Sequence, residues 1–583
     1  MRSVMWKVMK KKNESRPTTR AVDPISAAMD SMKVGAWEKA ARQFRIASSR
    51  GDLNDAEIQY GHALKEAGFL SLAESHYLAG QQDSEKSVDH FIQLGHLNKV
   101  RGGFKEAFDF YARALSLAKD MANEGVATEV GEYMAPLRRL IAANSATDDG
   151  VDFYISSAAS TLLKSIKNPA GASLGKANYS YAFAANGFVS ALEDGGYVIS
   201  SVENPEFFPA PQANHSKKMV HINFAPPPLA RVMKGAYNIL HFAWEFSRIP
   251  SDAETVSPHP FENWARQLAA FDEIWLPSNY AVSVISGIVN KPVHWVPSPI
   301  SAPKKKANRA KHAGRSAHVR KLRDISWVPL SIFPRLQGNF ANHAINRARL
   351  TSEVIQSASE KSVPPIFLTI LNPHDKRKQL KPLLGAFCEF SKTHKDAVLL
   401  IKTSSPDDTN RTINDRILNY QIADDADLVR PYVSQNVWIF NGALSGEQLE
   451  SLYDLASFFV CTSRAEGQNL PLLEAMAHGC VPVSVDHTAM SDYIDEGNSV
   501  VVPSYLSQPP AAMRRAYQMF DDFETYTVNE SAVHDALQRA VSLSDSDFME
   551  KSNNSILRVS QDYSGSILCK KMEDRGYFPE AGE

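Results

Sequence analysis

The order of apolar and polar positions divides this chain into a helical front and an α/β remainder. Between residues 21 and 120 the small and aromatic positions recur with a long period. Gly35, Gly68 and Gly102 stand 33 and 34 residues apart, Ala40, Ala73 and Ala107 follow each glycine by five positions, and Phe44, Tyr77 and Tyr111 come four later. Ala47, Gly80 and Ala114 complete the pattern. A tight turn at glycine, then a small residue, then an aromatic predicts stacked helix pairs, the small side chains admitting close approach and the aromatic filling the gap between neighbours. The apolar-rich stretch Thr128–Ala143 predicts further helices that cap the array. From Val151 onward short apolar runs alternate with helical patterns instead. Strands are predicted at Val151–Ile155, Tyr197–Val202, Val220–Phe224, Asn238–Phe242, Glu273–Pro277 and Val293–Val296, and a helix at Asn178–Glu193. A second series places strands at Pro365–Leu371, Ala397–Ile401, Val437–Asn441, Ala456–Cys461 and Val481–Val485, with helices at Leu380–Thr393 and from Pro471 to near Gly479. Helical patterns fill Val501 to Lys571. This alternation predicts parallel sheets covered on both faces.

A chain of 583 residues holds about three or four domains. The expected division is a basic flexible N-terminus (1–20), helical repeats (21–148) and two α/β domains (149–330 and 331–583). With 44% apolar and 22% charged residues and a net charge of −2, the chain reads as globular, with no case for nucleic acid as a partner. Cys388, Cys461, Cys480 and Cys569 are scattered, which fits a reducing cytoplasm, and no Cys/His spacing suggests zinc. No apolar run approaches the roughly 18 residues that span a bilayer. The segment Met1–Lys12 reads as a basic tail, or as an amphipathic contact with the inner face of a membrane. Lys304–Arg323 carries nine Lys or Arg in twenty residues and reads as a flexible solvated insertion, the alternative being a patch for an anionic lipid or polyanionic acceptor.

Candidate chemistry concentrates at two predicted strand ends. After Ala456–Cys461 a polar turn leads into the helix that begins at Pro471, which puts Glu466 on the loop and Glu474 a turn inside the helix. Loops at the carboxyl ends of parallel strands are where open α/β sheets bind ligands, and the N–H groups of Gly467, Gln468 and Asn469 attract oxygen there. Two carboxylates at this place suit a ligand rich in hydroxyl donors, such as a sugar nucleotide. After Pro365–Leu371, the run Asn372-Pro-His-Asp-Lys-Arg-Lys-Gln379 puts three adjacent cations on a helix N-terminus, a combination of charge and oriented donors that fits a diphosphate. Gly442, after Val437–Asn441, permits close approach of a nucleotide base.

The segment Cys461–Val483 resembles the Glu-x7-Glu signature of retaining GT-B glycosyltransferases of the family-four (group 1) class. The likeness extends past Glu466 and Glu474 to Gly467, Leu470, Pro471, Ala475, Met476, Gly479 and Pro482. Phe271–Asn279 and Asn238–Phe246 resemble further landmarks of that class, and the likeness covers roughly residues 150–575. It implies a GT-B fold, two Rossmann-like domains facing a cleft, behind an all-α front that resembles tetratricopeptide (TPR) repeats. It implies that Glu474 binds the donor ribose, that Glu466 and the donor-binding residues Gly467, Gln468, Asn469 and Leu470 hold the sugar, and that Arg377 and Lys378 stabilise the leaving diphosphate. Gly171 or Gly175 would fill the glycine loop near the donor phosphates, and His241 and Glu245 would face the acceptor. The class often has an arginine where this chain has Asn372; Lys402 is positioned to replace that cation. No Asp-x-Asp occurs at a candidate strand end, so no metal or other cofactor is expected. The implied activity is transfer of a hexose from a nucleotide diphosphate sugar to a glycan or lipid-linked acceptor, with retention, in cell-surface polysaccharide or lipopolysaccharide synthesis. Two alternatives stand beside it: a protein O-glycosyltransferase recruiting its substrate through the repeats, and an inactive scaffold. The repeats would serve a protein partner or self-association.

Overall fold

The computed structural model describes residues 23–51, 53, 56–79, 84–101, 103–142, 151–158, 177–208, 218–250, 264–301, 312–331, 349–358, 364–372, 375–403, 433–516 and 523–577. These fall into two compact units, one holding the helices between residues 24 and 142 and the other holding both sheets. The expected basic tail and the glycine loop with Gly171 and Gly175 lie outside the described residues. No described helix is long and apolar enough to cross a membrane.

The first unit is seven helices: Pro24–Lys33, Trp37–Ser49, Glu57–Glu66, Leu70–Ala79, Ser84–Val100, Phe104–Asp120 and Glu124–Ala142, each packed on the next. Gly35 and Gly68 turn the chain at φ +70° and +86°, a region open to glycine without steric cost. Ala40, Ala73, Ala107, Phe44, Tyr77 and Tyr111 are all fully buried. Close packing also requires two glycines that the spacing rule left out. A Cβ on Gly61 would strike the Tyr77 ring, and one on Gly95 would strike Tyr111. The capping segment is a single helix, Glu124–Ala142, with Pro136 inside it.

The second unit holds two sheets. The first consists of β1 (Val151–Ser157), β2 (Ile199–Ser201), β3 (Lys218–Phe224), β4 (Tyr237–His241), β5 (Glu273–Leu276) and β6 (Val293–Trp295), all parallel in the order β2-β1-β3-β4-β5-β6. The second takes β7 (Ser326–Ser331), β8 (Arg349–Leu350), β9 (Ile366–Leu371), β10 (Val398–Thr403), β11 (Val433–Asn441), β12 (Phe458–Cys461), β13 (Val481–Ser484) and β14 (Val500–Val501) in the order β14-β13-β12-β9-β10-β11-β7-β8. Strands β9 to β14 run parallel, and β7 and β8 form an antiparallel edge. Because β7 belongs to this second sheet, the sheet starts ahead of residue 331. A short antiparallel pair, β15 (Ser504–Ser507) and β16 (Thr525–Val528), lies outside both sheets.

Chain order reverses in the second sheet between β9 and β12. From β9 the chain winds outward through β10 and β11, then returns to the other side of β9 for β12, β13 and β14. Such a reversal leaves a crevice at the carboxyl ends of the two strands. The last helix, Gly565–Glu573, crosses back to pack on Ala177–Asp194 beside the first sheet. Leu568 and Met572 join a core with Phe188 and Trp275 there, and Tyr197 donates to the Tyr577 carbonyl at 2.8 Å.

Residues 312–323 of the basic run depart from the expected flexible loop, while 304–311 lie outside the described residues. His312–Lys321 is a helix packed on Gly446–Leu455, with Leu322 fully buried behind it. Val319 packs against the second core, and Lys321 pairs with Glu447 at 2.8 Å. Counting charge missed the apolar positions Val319 and Leu322 that anchor the helix.

Candidate active site

The two chemically rich turns meet at this reversal. After β9, Asp375 caps a short 3-10 turn, Lys376–Lys378, and Gln379 enters the left-handed region at φ 44° before helix Leu380–Thr393. After β12, Asn469 does the same at φ 62° before helix Leu470–Ala477. Thr488, at φ 52°, accepts the Glu466 N–H on its Oγ1 at 3.1 Å. Of four non-glycine residues with positive φ among the described residues, three therefore border these turns. Backbone strain of this kind costs roughly 1–3 kcal/mol each and gathers at functional sites.

Cross-ties lock the two turns together. Thr462 Oγ1 donates to the carbonyls of Lys378 (3.1 Å) and Gln379 (3.3 Å), and Gln379 Nε2 donates to the Thr462 carbonyl at 2.8 Å. The Arg464 N–H donates to the Arg377 carbonyl at 2.7 Å. These bonds bring Lys378 Nζ onto Glu466 Oε1 as an ion pair in which Glu466 is buried and Lys378 is largely so. Burial alone would lower the Lys378 pKa, but the carboxylates of Glu466 and Asp375 outweigh it and raise the pKa.

Arg377 is held from both sides. Its Nε and Nη2 donate to Asp375, Nη2 at 2.7 Å, and its Nη1 donates to Glu245 from the loop after β4. Burial opposes ionisation of Asp375, yet the charges of Arg377 and Lys378 and the hydrogen bonds from Arg377 hold its carboxyl well below the usual range. Glu245 goes the other way: burial raises its pKa, and Arg377 only partly offsets this. Tyr181, from helix Ala177–Asp194, lies close enough for Glu245 to add to the effect of burial, which raises the phenol pKa.

The remaining candidates fall into different places. Gly467 fits against the first half: a Cβ there would sit 2.7 Å from the Ala243 Cβ and 3.2 Å from the Trp244 nitrogen. Gln468 spends its side-chain amide on that half. Its Nε2 donates to the Ser298 carbonyl at 2.8 Å, and its Oε1 accepts the Ser298 N–H at 3.1 Å. Asn469 donates to Cys461 Sγ at 3.2 Å, and Leu470 packs on the core of the second sheet. Glu474 accepts from the Tyr453 hydroxyl at 2.6 Å, and burial raises its pKa. Asn372 is half-buried at the end of β9, and its carbonyl accepts the Asp375 N–H at 3.1 Å. Lys402 is buried near the end of β10, and burial lowers its pKa to about 8.

His241 does not face the acceptor side. Its ring lies between Phe188 and Phe224, its Nε2 donates to the Val296 carbonyl at 3.0 Å, and burial lowers its pKa to about 4. A strand side chain points into the layers above or below the sheet, and only residues past the strand end, such as Glu245, reach its carboxyl edge. A second group with catalytic-looking geometry is also structural. Ser156 Oγ lies 2.7 Å from His221 Nε2, and His221 Nδ1 lies 2.9 Å from Asn238 Oδ1. All three are buried, and Asn238 is also bonded to Met233 and Ala236, so the group ties a loop to the sheet.

Asp375, Tyr181, Tyr453 and Thr488 were not singled out from sequence. Only Asp375 carried a usable signal, a carboxylate directly before three cations.

Residues 364–519 match the family described as Glycosyl transferases group 1. No curated protein matches. Among solved structures the chain is similar to a point mutant of S. aureus TarM in complex with Fondaparinux, alpha-GlcNAc-glycerol and UDP, at 11% identity over 61% of this chain and 55% of that chain, TM-score 0.34. It is similar to the pneumococcal O-GlcNAc transferase GtfA in complex with UDP and GlcNAc, at 12% identity over 61% of this chain and 56% of that chain, TM-score 0.34. It is also similar to a UDP-forming trehalose-phosphate synthase from Burkholderia xenovorans, at 12% identity over 69% of this chain and 80% of that chain, TM-score 0.40. The match thus spans little more than half the length of TarM and GtfA. The family match falls on the half that carries Arg377, Lys378, Glu466 and Glu474, and it supports a glycosyltransferase.

Proposed function

We propose that this protein transfers a hexose from a nucleotide diphosphate sugar to a glycan or lipid-linked acceptor, with retention at the anomeric carbon. The observation that carries the reading is the convergence of Lys378, Arg377 and Glu466 where the second sheet reverses, with Glu245 reaching them from the first half. Fold alone would not license a reaction class; the side chains at the crevice support this one.

In this reading the donor diphosphate takes over the donors of Arg377 and Lys378. Cations fixed beforehand by Asp375 and by the cross-tied turns stabilise charge as it grows on the leaving phosphate, with little reorganisation at the moment of bond breaking. Glu466, released from Lys378, accepts hydroxyls of the sugar, and Glu474 accepts those of the ribose. The acceptor hydroxyl attacks from the face that the diphosphate leaves, and its proton passes to a phosphate oxygen, so no protein base is assigned. The two cationic side chains do the charge neutralisation, and the reaction runs without a metal. The helical front is of the TPR kind and docks a protein partner or a second copy. The enzyme works in the cytoplasm, free or at the inner face of the membrane, in building cell-surface polysaccharide or lipopolysaccharide.

Incubation with UDP-, GDP- and dTDP-sugars, with and without EDTA, tests this by nucleotide release and by the anomeric configuration of the product. Release that chelation does not affect, with an α-donor giving an α-product, is the expected result. Transfer onto a peptide would replace the acceptor assignment, an inverted product would remove retention, and binding of no donor would leave a scaffold.

A further inference from the structure

Tyr453 belongs to no motif and lies on helix Gly446–Leu455, away from both chemically rich turns in sequence. The helix starts at a full capping box, Ser445 with Gln448, which fixes its first turn. Tyr453 is 2% exposed, and its ring packs beside His478, with centroids 5.5 Å apart. The Cys480 thiol donates to its carbonyl at 3.2 Å. Main chain and ring are thus both pinned, and the hydroxyl ends 2.6 Å from Glu474 Oε2.

A buried tyrosine hydroxyl needs a hydrogen-bond partner. Here the bond reaches across 21 residues to the second acid of the Glu-x7-Glu segment. His478, one turn further along that helix, has its Nδ1 3.0 Å from Asp454. The hydrogen bond to Glu474 therefore comes from Tyr453. A carboxylate with one oxygen committed to a rigid donor cannot rotate freely, and the other oxygen is aimed. A site that holds its acceptor in a fixed direction strongly rejects ligands lacking the matching hydroxyl, because the aimed group is then left unpaired.

We infer that Tyr453 is a positioning residue: by fixing Glu474 it sets the preference for ribonucleotide over deoxyribonucleotide donors. The inference rests on the reading of Glu474 as the ribose acceptor and deepens it.

Calorimetric titration with UDP and GDP, and with 2′,3′-dideoxy-UDP and 2′,3′-dideoxy-GDP, tests it without any knowledge of the acceptor. The wild-type chain should prefer the ribonucleotide it binds. Tyr453→Phe keeps the ring and its packing, and should weaken ribonucleotide binding roughly tenfold while leaving the dideoxy form unchanged, so that the preference collapses. Glu474→Gln should collapse the same preference. A Tyr453→Phe chain that discriminates as well as wild type, or that weakens both forms equally, overturns the role of Tyr453 alone. A wild-type chain that binds both forms equally overturns the ribose assignment of Glu474 and this inference with it. Failure to bind any of the four while dTDP binds overturns the ribose assignment of Glu474 and this inference with it, and failure to bind dTDP as well removes the donor site.

Discussion

Replacing Glu245 by glutamine removes one charge from a site crowded with carboxylates. Among the described residues Asp375, Glu245 and Glu466 gather around Arg377 and Lys378. A diphosphate brings two further negative charges to the same two cations. Glu245 occupies Nη1 of Arg377, while Asp375 already covers the Nε and Nη2 edge. The incoming phosphate therefore competes with Glu245 for that donor. A carboxylate about 6 Å from a phosphate repels it by about 3 kcal/mol at an effective dielectric of about 20. Allowing half of that for screening and for the weaker amide bond to Arg377 leaves about 1.4 kcal/mol, or about tenfold in affinity. Glu245→Gln should accordingly bind UDP or GDP about tenfold more tightly than wild type in a calorimetric titration at about pH 7.5. Stability should move as well. Burial raises the Glu245 pKa in the folded chain, so the folded state holds this proton more firmly than the unfolded one, and stability is lost as pH rises through the folded pKa. The variant escapes that loss. Urea unfolding should show it more stable than wild type at about pH 8, with the gap closing toward about pH 4. Weaker nucleotide binding by Glu245→Gln would refute the competition and make Glu245 a support for Arg377.

Three other substitutions read out neighbouring parts of the site. Lys378→Met strands Glu466 in a buried position, and should cost about 3–5 kcal/mol in urea unfolding and at least about a hundredfold in transfer rate, with Glu466→Gln in the same chain restoring stability but not activity. Lys402→Met should stabilise the chain by about 2 kcal/mol at pH 7, because the folded lysine, at about 8, gives up its proton well before the unfolded one. That penalty is full below about pH 8 and fades toward about pH 10.4, so melting curves of wild type and variant should converge there. Weaker nucleotide binding at neutral pH would in addition assign Lys402 to the donor. Gly467→Ala puts a methyl against Ala243 and Trp244, and should cost about 1–3 kcal/mol and lower the transfer rate more than it weakens nucleotide binding, read by steady-state kinetics beside calorimetry.

What the sequence made legible was local. Helix Leu470–Ala477 has its start and stop within a dozen residues, with Pro471 in the first turn and Gly479 at φ +74° beyond the end, so the position of Glu474 could be read directly. The cation turn after β9 is equally compact, and helix Leu380–Thr393 follows it over the expected residues. The helical front was legible through its period, though the packing partners Gly61 and Gly95 were not, because their aromatic contacts lie 16 residues downstream in a neighbouring helix.

What stayed hidden was mutual. Arg377 meets Glu245 across 132 residues, and Gln468 meets Ser298 across 170. No periodicity encodes such pairs, since they arise only when two separately wound sheets present their carboxyl edges to each other. This also accounts for where the Gln468 side chain and the His241 ring lie. Gln468 was singled out for its backbone N–H; its buried side-chain amide must satisfy both its ends, and the Ser298 backbone supplies a donor and an acceptor together. His241 looked accessible because it closes β4, yet its ring falls among Phe188 and Phe224, where only the neutral imidazole is tolerated. Glu245, four residues further on, has left the strand and can turn to the crevice. The distance past a strand end, more than residue type, therefore separates a side chain that builds the floor of this site from one that takes part in it.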